Sequence, residues 1–204
     1  MSNKKNKYFF GQGPYKVMTK SELKLSNFYT VRAVQPEEIE KIRKMRNSQI
    51  DVLRQSKIIN FQNQINYFKE NIWPDKKLKK PKNILLSIFF NDSFIGYGGL
   101  VHINWVDLIA EISFLLDPSI QKKNSTFIYI FEKWLDLVKR FAFDDLGLKK
   151  LTTETYSMRK SHISVLEKSN FQCEGILKDH IIIRGKKMDS VLHSYSLTDW
   201  KKNG

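Results

Sequence analysis

The sequence holds one cysteine in 204 residues. That excludes an internal disulfide and any cysteine-based zinc site. Its 4 histidines, at positions 102, 162, 180 and 193, are dispersed and lack metal-ligand spacing. No metal is expected. No apolar run approaches the length of a membrane-crossing helix, so no membrane partner is expected. No basic, apolar, small-residue leader opens the chain, and a cytoplasmic location is the expectation. Internal repeats and linkers are also missing, which fits one domain with ample length for a core.

Apolar residues make up 41% and aromatic residues 13%, the composition of a globular chain. The 35 Lys and Arg against 21 Asp and Glu give a net charge of +14. Such a charge suits an anionic ligand or nucleic acid, or simply a solvated lysine-rich surface. The densest cluster, Lys76, Lys77, Lys79, Lys80 and Lys82, flanks Pro74 and Pro81. It reads as a loop and not as a nucleic-acid-reading helix, so nucleic acid is disfavoured as a partner.

Residues 1–27 are polar and read as an N-terminal extension that packs through Tyr8, Phe9 and Phe10 or stays partly loose. Residues 28–198 read as the domain. Tyr29 to Val34 alternates as a strand. Gln35-Pro36-Glu37-Glu38 opens a helix, with proline near its first position and acids in its first turn. A second helix is expected from Phe61 to Glu70. Ile84 to Phe90 is a buried strand, and Phe94 to Ile103 returns antiparallel to it. Gly96, Gly98 and Gly99 in that strand point to bends or close backbone approach. A third strand spans 108 to 116.

The most informative stretch follows. A polar, basic loop (Asp117 to Ser125) leads into a long amphipathic helix. Phe127, Ile130, Phe131, Trp134, Leu135, Val138, Phe141 and Ala142 share one face at helical spacing. Strand, loop and helix N-terminus make an anion site. Gly147 reads as the stop. Lys150 to Tyr156 is a strand and Ser161 to Ser169 a short helix. Phe171 to Ile183 and Met188 to Leu197 are strands joined by a turn at Arg184-Gly185-Lys186. The expected class is α+β: one twisted, mostly antiparallel sheet with helices on both faces.

This order resembles the GNAT acyltransferase superfamily. The tail ISVLEKSNFQCEGILKDHIIIRGKKMDSVLHSYS (163–196) is similar to the ending of the branch holding ribosomal-protein N-terminal acetyltransferases and sugar-nucleotide N-acetyltransferases. The segment IRKMRNSQIDVLRQSKIINFQNQINYF (42–68) looks more like the sugar-modifying members. The resemblance implies acetyl-CoA as co-substrate, with its pantetheine arm between two splayed strands, 110–116 and 150–156, along Phe114, Leu115 and Leu116. It places the pyrophosphate on the loop before the long helix. The usual glycines of that loop are replaced here, in Gln121-Lys122-Lys123-Asn124-Ser125-Thr126. Arg159 stands where the family's Asn contacts the CoA arm, and an arginine there can hold a phosphate or a carboxylate.

Amine acetylation needs a base for the ammonium, a donor for the thioester oxygen and an acid for the thiolate. Glu111 is the candidate base, with Glu154 second. The backbone N–H of Leu115 is the candidate oxyanion donor. The family's usual acid, a tyrosine, is replaced by Leu166, which leaves His162 or Tyr156. Arg46, Asn47, His102 and Trp105 are the candidate acceptor-binding residues. Trp105 equally suits a dimer contact. His180, Asp189 and His193 suit a polar cross-strand network on the closing hairpin.

The reading these residues support is an N-acetyltransferase acting on the primary amine of a small anionic molecule, a nucleotide-linked amino sugar first. An acetyltransferase of a protein N-terminus or another amine is the alternative. The third reading is a non-catalytic nucleotide- or nucleic-acid-binding relative. It draws on the charge and the glycine-less loop.

Overall fold

The computed structural model describes residues 11–203; Tyr8, Phe9 and Phe10 lie outside the described residues. The strands are β1 (Glu22–Ser26), β2 (Tyr29–Ala33), β3 (Ile84–Phe90), β4 (Ser93–Asn104), β5 (Ile109–Leu116), β6 (Lys150–Tyr156), β7 (Gln172–Ile183) and β8 (Lys186–Ser196). They form one 8-stranded sheet in the order β1-β2-β3-β4-β5-β6-β8-β7. Only β5 and β6 pair in parallel. The helices are α1 (Ile39–Asn47), α2 (Phe61–Tyr67), α3 (Pro118–Gln121), α4 (Asn124–Arg140), α5 (Lys160–Lys168) and α6 (Leu197–Asn203).

Helices cover both faces. On one, α4 sets Phe127, Ile130, Phe131, Trp134, Leu135 and Val138 against Ile84, Leu86, Leu100 and Ile112 of the sheet. The expected 3.6-residue stripe is the buried face. On the other, Ile39, Ile42 and Met45 of α1 pack with Phe68 and Ile72 on Leu85, Tyr97 and Leu115. Alternation along β5 therefore sends Phe114 to the α4 face and Leu115 to the α1 face.

Two glycines permit this packing. A Cβ on Gly98 would lie 2.3 Å from Ser113 O and 2.7 Å from the Trp134 ring. Gly99 has φ +154, and its Cβ would lie 1.8 Å from Ile84 O.

The sheet opens where the expected splay lies. β5 and β6 pair only through Ile109↔Lys150, Ala110↔Leu151 and Glu111↔Thr152. Beyond that, β5 stays with β4 as far as Leu116↔Gly96. β6 stays with β8 as far as Tyr156↔Ser190. Each strand follows its antiparallel neighbour, and a gap opens between them.

Four features differ from the sequence expectation. β1 adds a strand before Tyr29, paired from Glu22↔Arg32 onward. The second helix widens after Tyr67 into a π turn at Phe68–Ile72. The loop before α4 contains the short helix α3, opened by the Asp117 carboxylate accepting from Ser119 N at 2.9 Å. A terminal helix, α6, follows β8. Lys76, read as part of a loop cluster, is buried, and its ammonium donates to the carbonyls of Gly11, Gly13 and Val34. Among the described residues, no helix is long and apolar enough to cross a membrane.

Candidate active site

Two cavities meet at the splay. The larger, about 600 Å³, lies between α1, α2, the loop 48–60 and the open ends of β5 and β6. The smaller, about 310 Å³, lies between α3, the start of α4 and the start of α5. Val52, Arg159 and His162 line both. Those three side chains stand at the passage from one to the other.

The smaller cavity has polar groups without partners. Gln121 and Asn124 line it. Gln121 Oε1 and His162 Nδ1 are buried with no hydrogen bond. The Arg159 guanidinium makes no hydrogen bond or ion pair among the described residues, and burial lowers its pKa to about 10. Polar groups withdrawn from water are normally paired. Their natural complement is a ligand with acceptors and negative charge, which the phosphates and amides of CoA supply. The first N–H groups of α4, which begins at Asn124, are not satisfied within the helix. Lys122, Lys123, Asn124 and Ser125 are exposed, and Thr126 is half-buried. Of these five, Asn124 alone lines either of the two cavities described.

Backbone direction corrects one expected role. Asp117 N donates to Ile95 O at 2.8 Å, so at this residue β5 bonds β4. Antiparallel alternation then turns the N–H groups of Ser113 and Leu115 towards β4, and those of Ile112, Phe114 and Leu116 into the gap. Leu115 cannot offer its N–H to a thioester between the strands, whereas Phe114 can. Phe114 also lines the larger cavity, with its ring 4.6 Å from that of Phe131. Leu116 is less available, since its carbonyl accepts from Gln49 Nε2 at 2.9 Å.

The wall of the larger cavity carries a line of paired polar side chains. His102 Nδ1 lies 2.9 Å from Glu111 Oε2. Arg54 Nη2 lies 2.8 Å from Glu111 Oε1 and 2.9 Å from Glu154 Oε2. His180 Nε2 lies 3.6 Å from Glu154 Oε1. Burial opposes the charge on Arg54, yet the two carboxylates outweigh it and raise its pKa. Sequence reasoning missed Arg54. Its only signal was its membership of the 42–68 resemblance.

Tyr156 and His162 differ in what they can donate. Burial, then the Glu154 charge, raises the Tyr156 pKa, so its proton stays on. Its hydroxyl has no hydrogen bond among the described residues. His162 is packed 4.1 Å from the Phe131 ring. Burial, followed by the charge of Arg159, pushes its pKa well below the usual imidazole range. It is neutral at neutral pH, which weakens it as an acid. Leu166 is fully buried in the core beside it.

The acceptor candidates divide. Arg46 lines the cavity and donates to Tyr97 Oη at 2.9 Å and Gln55 Oε1 at 3.1 Å. Asn47 does not face the cavity. Its side chain donates to Ile59 O and accepts from Ile59 N and Gln55 Nε2, which braces the loop. Trp105 points elsewhere: its Nε1 donates to Pro81 O at 2.7 Å and its ring packs on the main core. It is not available for stacking. The closing-hairpin network is partial. Asp189 accepts from Lys178 and from Asp179 N, but His180 turns to Glu154 and His193 is buried near Glu167. No cluster of metal-ligating side chains occurs among the described residues.

Residues 31–192 match the family model described as Acetyltransferase (GNAT) domain. No curated protein matches the chain significantly. Among solved structures, it is similar to spermidine N-acetyltransferase from Vibrio cholerae in complex with CoA and spermine. That match has TM-score 0.74 and 17% identity, over 86% of this chain and 99% of that one. It is also similar to RimL, a ribosomal-protein alpha-N-acetyltransferase in complex with coenzyme A. There the TM-score is 0.71 and the identity 13%, over 87% of this chain and 99% of the other. At such identities the likeness speaks for the fold alone.

Proposed function

The chain belongs to the GNAT acetyltransferase family, and we propose that it moves an acetyl group from acetyl-CoA to the primary amine of a small molecule that also carries an acid group. The observation behind this is the junction at Arg159 and His162. There a cavity with unpartnered anion- and amide-binding groups opens into one lined by Glu111, Arg46 and Tyr156. The donor comes from the first cavity and the acceptor from the second. Such a wall, with a few convergent polar groups in an apolar pocket, is the usual form of a substrate site.

The chemistry follows from position. The acceptor ammonium loses a proton at the Glu111 end of the cavity and its nitrogen attacks the thioester carbon. The Phe114 N–H holds the carbonyl oxygen as charge develops. The C–N bond forms and the C–S bond breaks. Sulfur takes the Tyr156 proton, and the second nitrogen proton restores the phenol.

For the acceptor, Arg46 meets only neutral partners, so its charge is free to pair with an acid group. A nucleotide-linked amino sugar remains the finer reading, resting on Arg46 and Arg159 but no longer on Trp105. A second reading has its own support. Glu111 and Glu154 are two carboxylates in one cavity, which would suit a cationic amine such as the spermidine acted on by the similar enzymes. Arg54 offsets one of these two charges and Arg46 lines the same cavity, which favours the first.

The test is an acetylation assay with acetyl-CoA. Its panel is a nucleotide-linked amino sugar, the bare amino sugar, an amino-sugar phosphate, spermidine and a short peptide, each at low and high salt. The expected result is preference for the anionic amines, weakened by salt. Preference for spermidine or the peptide replaces this acceptor reading. Self-association is a further part of the proposal. Edge strand β7 leaves Ile176 and Ile182 exposed, and a similar solved structure is described as dodecameric. Sedimentation of the intact chain as a monomer would refute it.

A further inference from the structure

Two neighbouring residues of β4, Val101 and His102, line the same cavity. A regular strand turns successive side chains to opposite faces, and this strand is not regular there. The ladder explains it. Val101 faces Glu111 and Asn104 faces Ile109, so β4 carries one extra residue over that span. Such a bulge re-aims a side chain. Here His102 has φ +52, a left-handed conformation uncommon for a residue with a side chain. The Ile103 N–H leaves the β5 ladder and donates to Lys82 O at 2.9 Å.

The displaced imidazole is fixed by a carboxylate, with Nδ1 2.9 Å from Glu111 Oε2. That contact makes Nδ1 the protonated nitrogen of the neutral ring and leaves the lone pair on Nε2. Glu111 itself is engaged on both oxygens. Arg54 reaches Oε1 at 2.8 Å, and Arg54 Nη1 and His102 share Oε2. No other hydrogen bond occupies the His102 ring among the described residues, and its side chain is 68% exposed.

We infer that His102 Nε2 is the atom that takes the acceptor's proton, and that Glu111 and Arg54 are positioning residues which hold the imidazole in that tautomer. This rests on the acetyltransferase reading above. The acceptor R–NH3+ gives one proton to Nε2, leaving R–NH2 and an imidazolium bonded to Glu111. The amine attacks the thioester, and the imidazolium returns its proton to water. The arrangement differs from a carboxylate acting directly, because the group meeting the substrate is neutral before transfer and the carboxylate stays ionised throughout.

The test has a kinetic and a spectroscopic arm. In the first, His102→Ala and Glu111→Gln are compared on whichever amine of the panel is acetylated fastest. His102→Ala should lower kcat about 100-fold, with part of the loss restored by free imidazole. Glu111→Gln keeps an oxygen for Nδ1–H and should lose about 10-fold. A larger loss in Glu111→Gln, with no imidazole rescue of His102→Ala, overturns the inference and returns the base role to Glu111. The second arm needs no acceptor. In protein carrying nitrogen-15 histidine, the His102 resonances, assigned by their loss in His102→Ala, should show a protonated Nδ1 and a bare Nε2 at neutral pH. The opposite tautomer overturns the inference even if no amine in the panel is a substrate, whereas an inactive panel with the expected tautomer fails only the acceptor reading.

Discussion

Arg54 and Glu111 lie 57 residues apart in sequence, yet Arg54 Nη2 stands 2.8 Å from Glu111 Oε1 and ties the loop 48–60 to the mouth of the splayed strands. The same guanidinium reaches Glu154 on β6, so one side chain spans the gap in the sheet. Arg54→Ala leaves two carboxylates facing one cavity without their shared cation. We expect kcat/KM to fall about 10- to 100-fold, in line with the loss of a partner from a charged pair. Proteolysis within residues 48–60 should quicken. Wild-type kinetics in this variant would remove Arg54 from the site.

Arg159 predicts a trade between stability and binding. A half-buried cation without a partner, partly withdrawn from water, is destabilising until a ligand pairs with it. Arg159→Met should therefore leave the melting temperature of the free protein unchanged or higher. It should also remove most of the stabilisation that acetyl-CoA confers. A free protein that melts lower, with an undiminished acetyl-CoA shift, would make Arg159 structural. Lys122→Glu with Lys123→Glu should weaken acetyl-CoA more mildly, because these side chains are exposed and screened by salt.

The acid assignment is separable by two variants. Tyr156→Phe should lower kcat on the order of 100- to 1000-fold while acetyl-CoA affinity holds. His162→Gln should cost less than about 10-fold in kcat. The reverse order of effects would return the acid role to His162.

Stability against pH should carry the mark of His162. Its folded pKa is lowered, so below about pH 6.5 the unfolded chain binds a proton that the folded one does not. The stability is full above that range and declines as pH falls, by up to about 1.4 kcal/mol per pH unit for one such group. His193, whose pKa burial also lowers, adds in the same direction. His162→Leu should flatten the decline between pH 7.5 and 5.5, read from urea midpoints. An unchanged slope would mean that His162 is not the titrating group.

Gly98→Ala tests the packing of α4 on the sheet. Its methyl would meet Ser113 O and the Trp134 ring. A loss of about 1–3 kcal/mol is expected, the usual range for overpacking. Thermal or urea unfolding measures it. A neutral substitution would show that the helix can retreat.

Much of this protein was fixed by one-dimensional pattern. The stripe from Phe127 to Val138 reports which face of α4 is buried, because helical spacing alone aligns those side chains. Continuous apolar runs place β3 and β5 in the sheet, and Gly147, with φ +67, marks the end of the long helix. The splay was legible only through the family resemblance; the registers of β5 and β6 show where it opens. The motif resemblance then carried the family. Tertiary structure alone decided which polar groups meet. Arg54 stands beside Glu111 because the path of the loop 48–60, clamped by Asn47, is set by contacts across the chain. Trp105 turned away because Pro81 O lay within reach of its Nε1. Phe114 displaced Leu115 as the N–H in the gap because hydrogen-bond phase is set by pairing with β4, which no single strand encodes. The bulge that aims His102 is likewise a property of two strands in register. Periodicity tells which way a side chain faces its own element; which partner it finds depends on where distant elements stop.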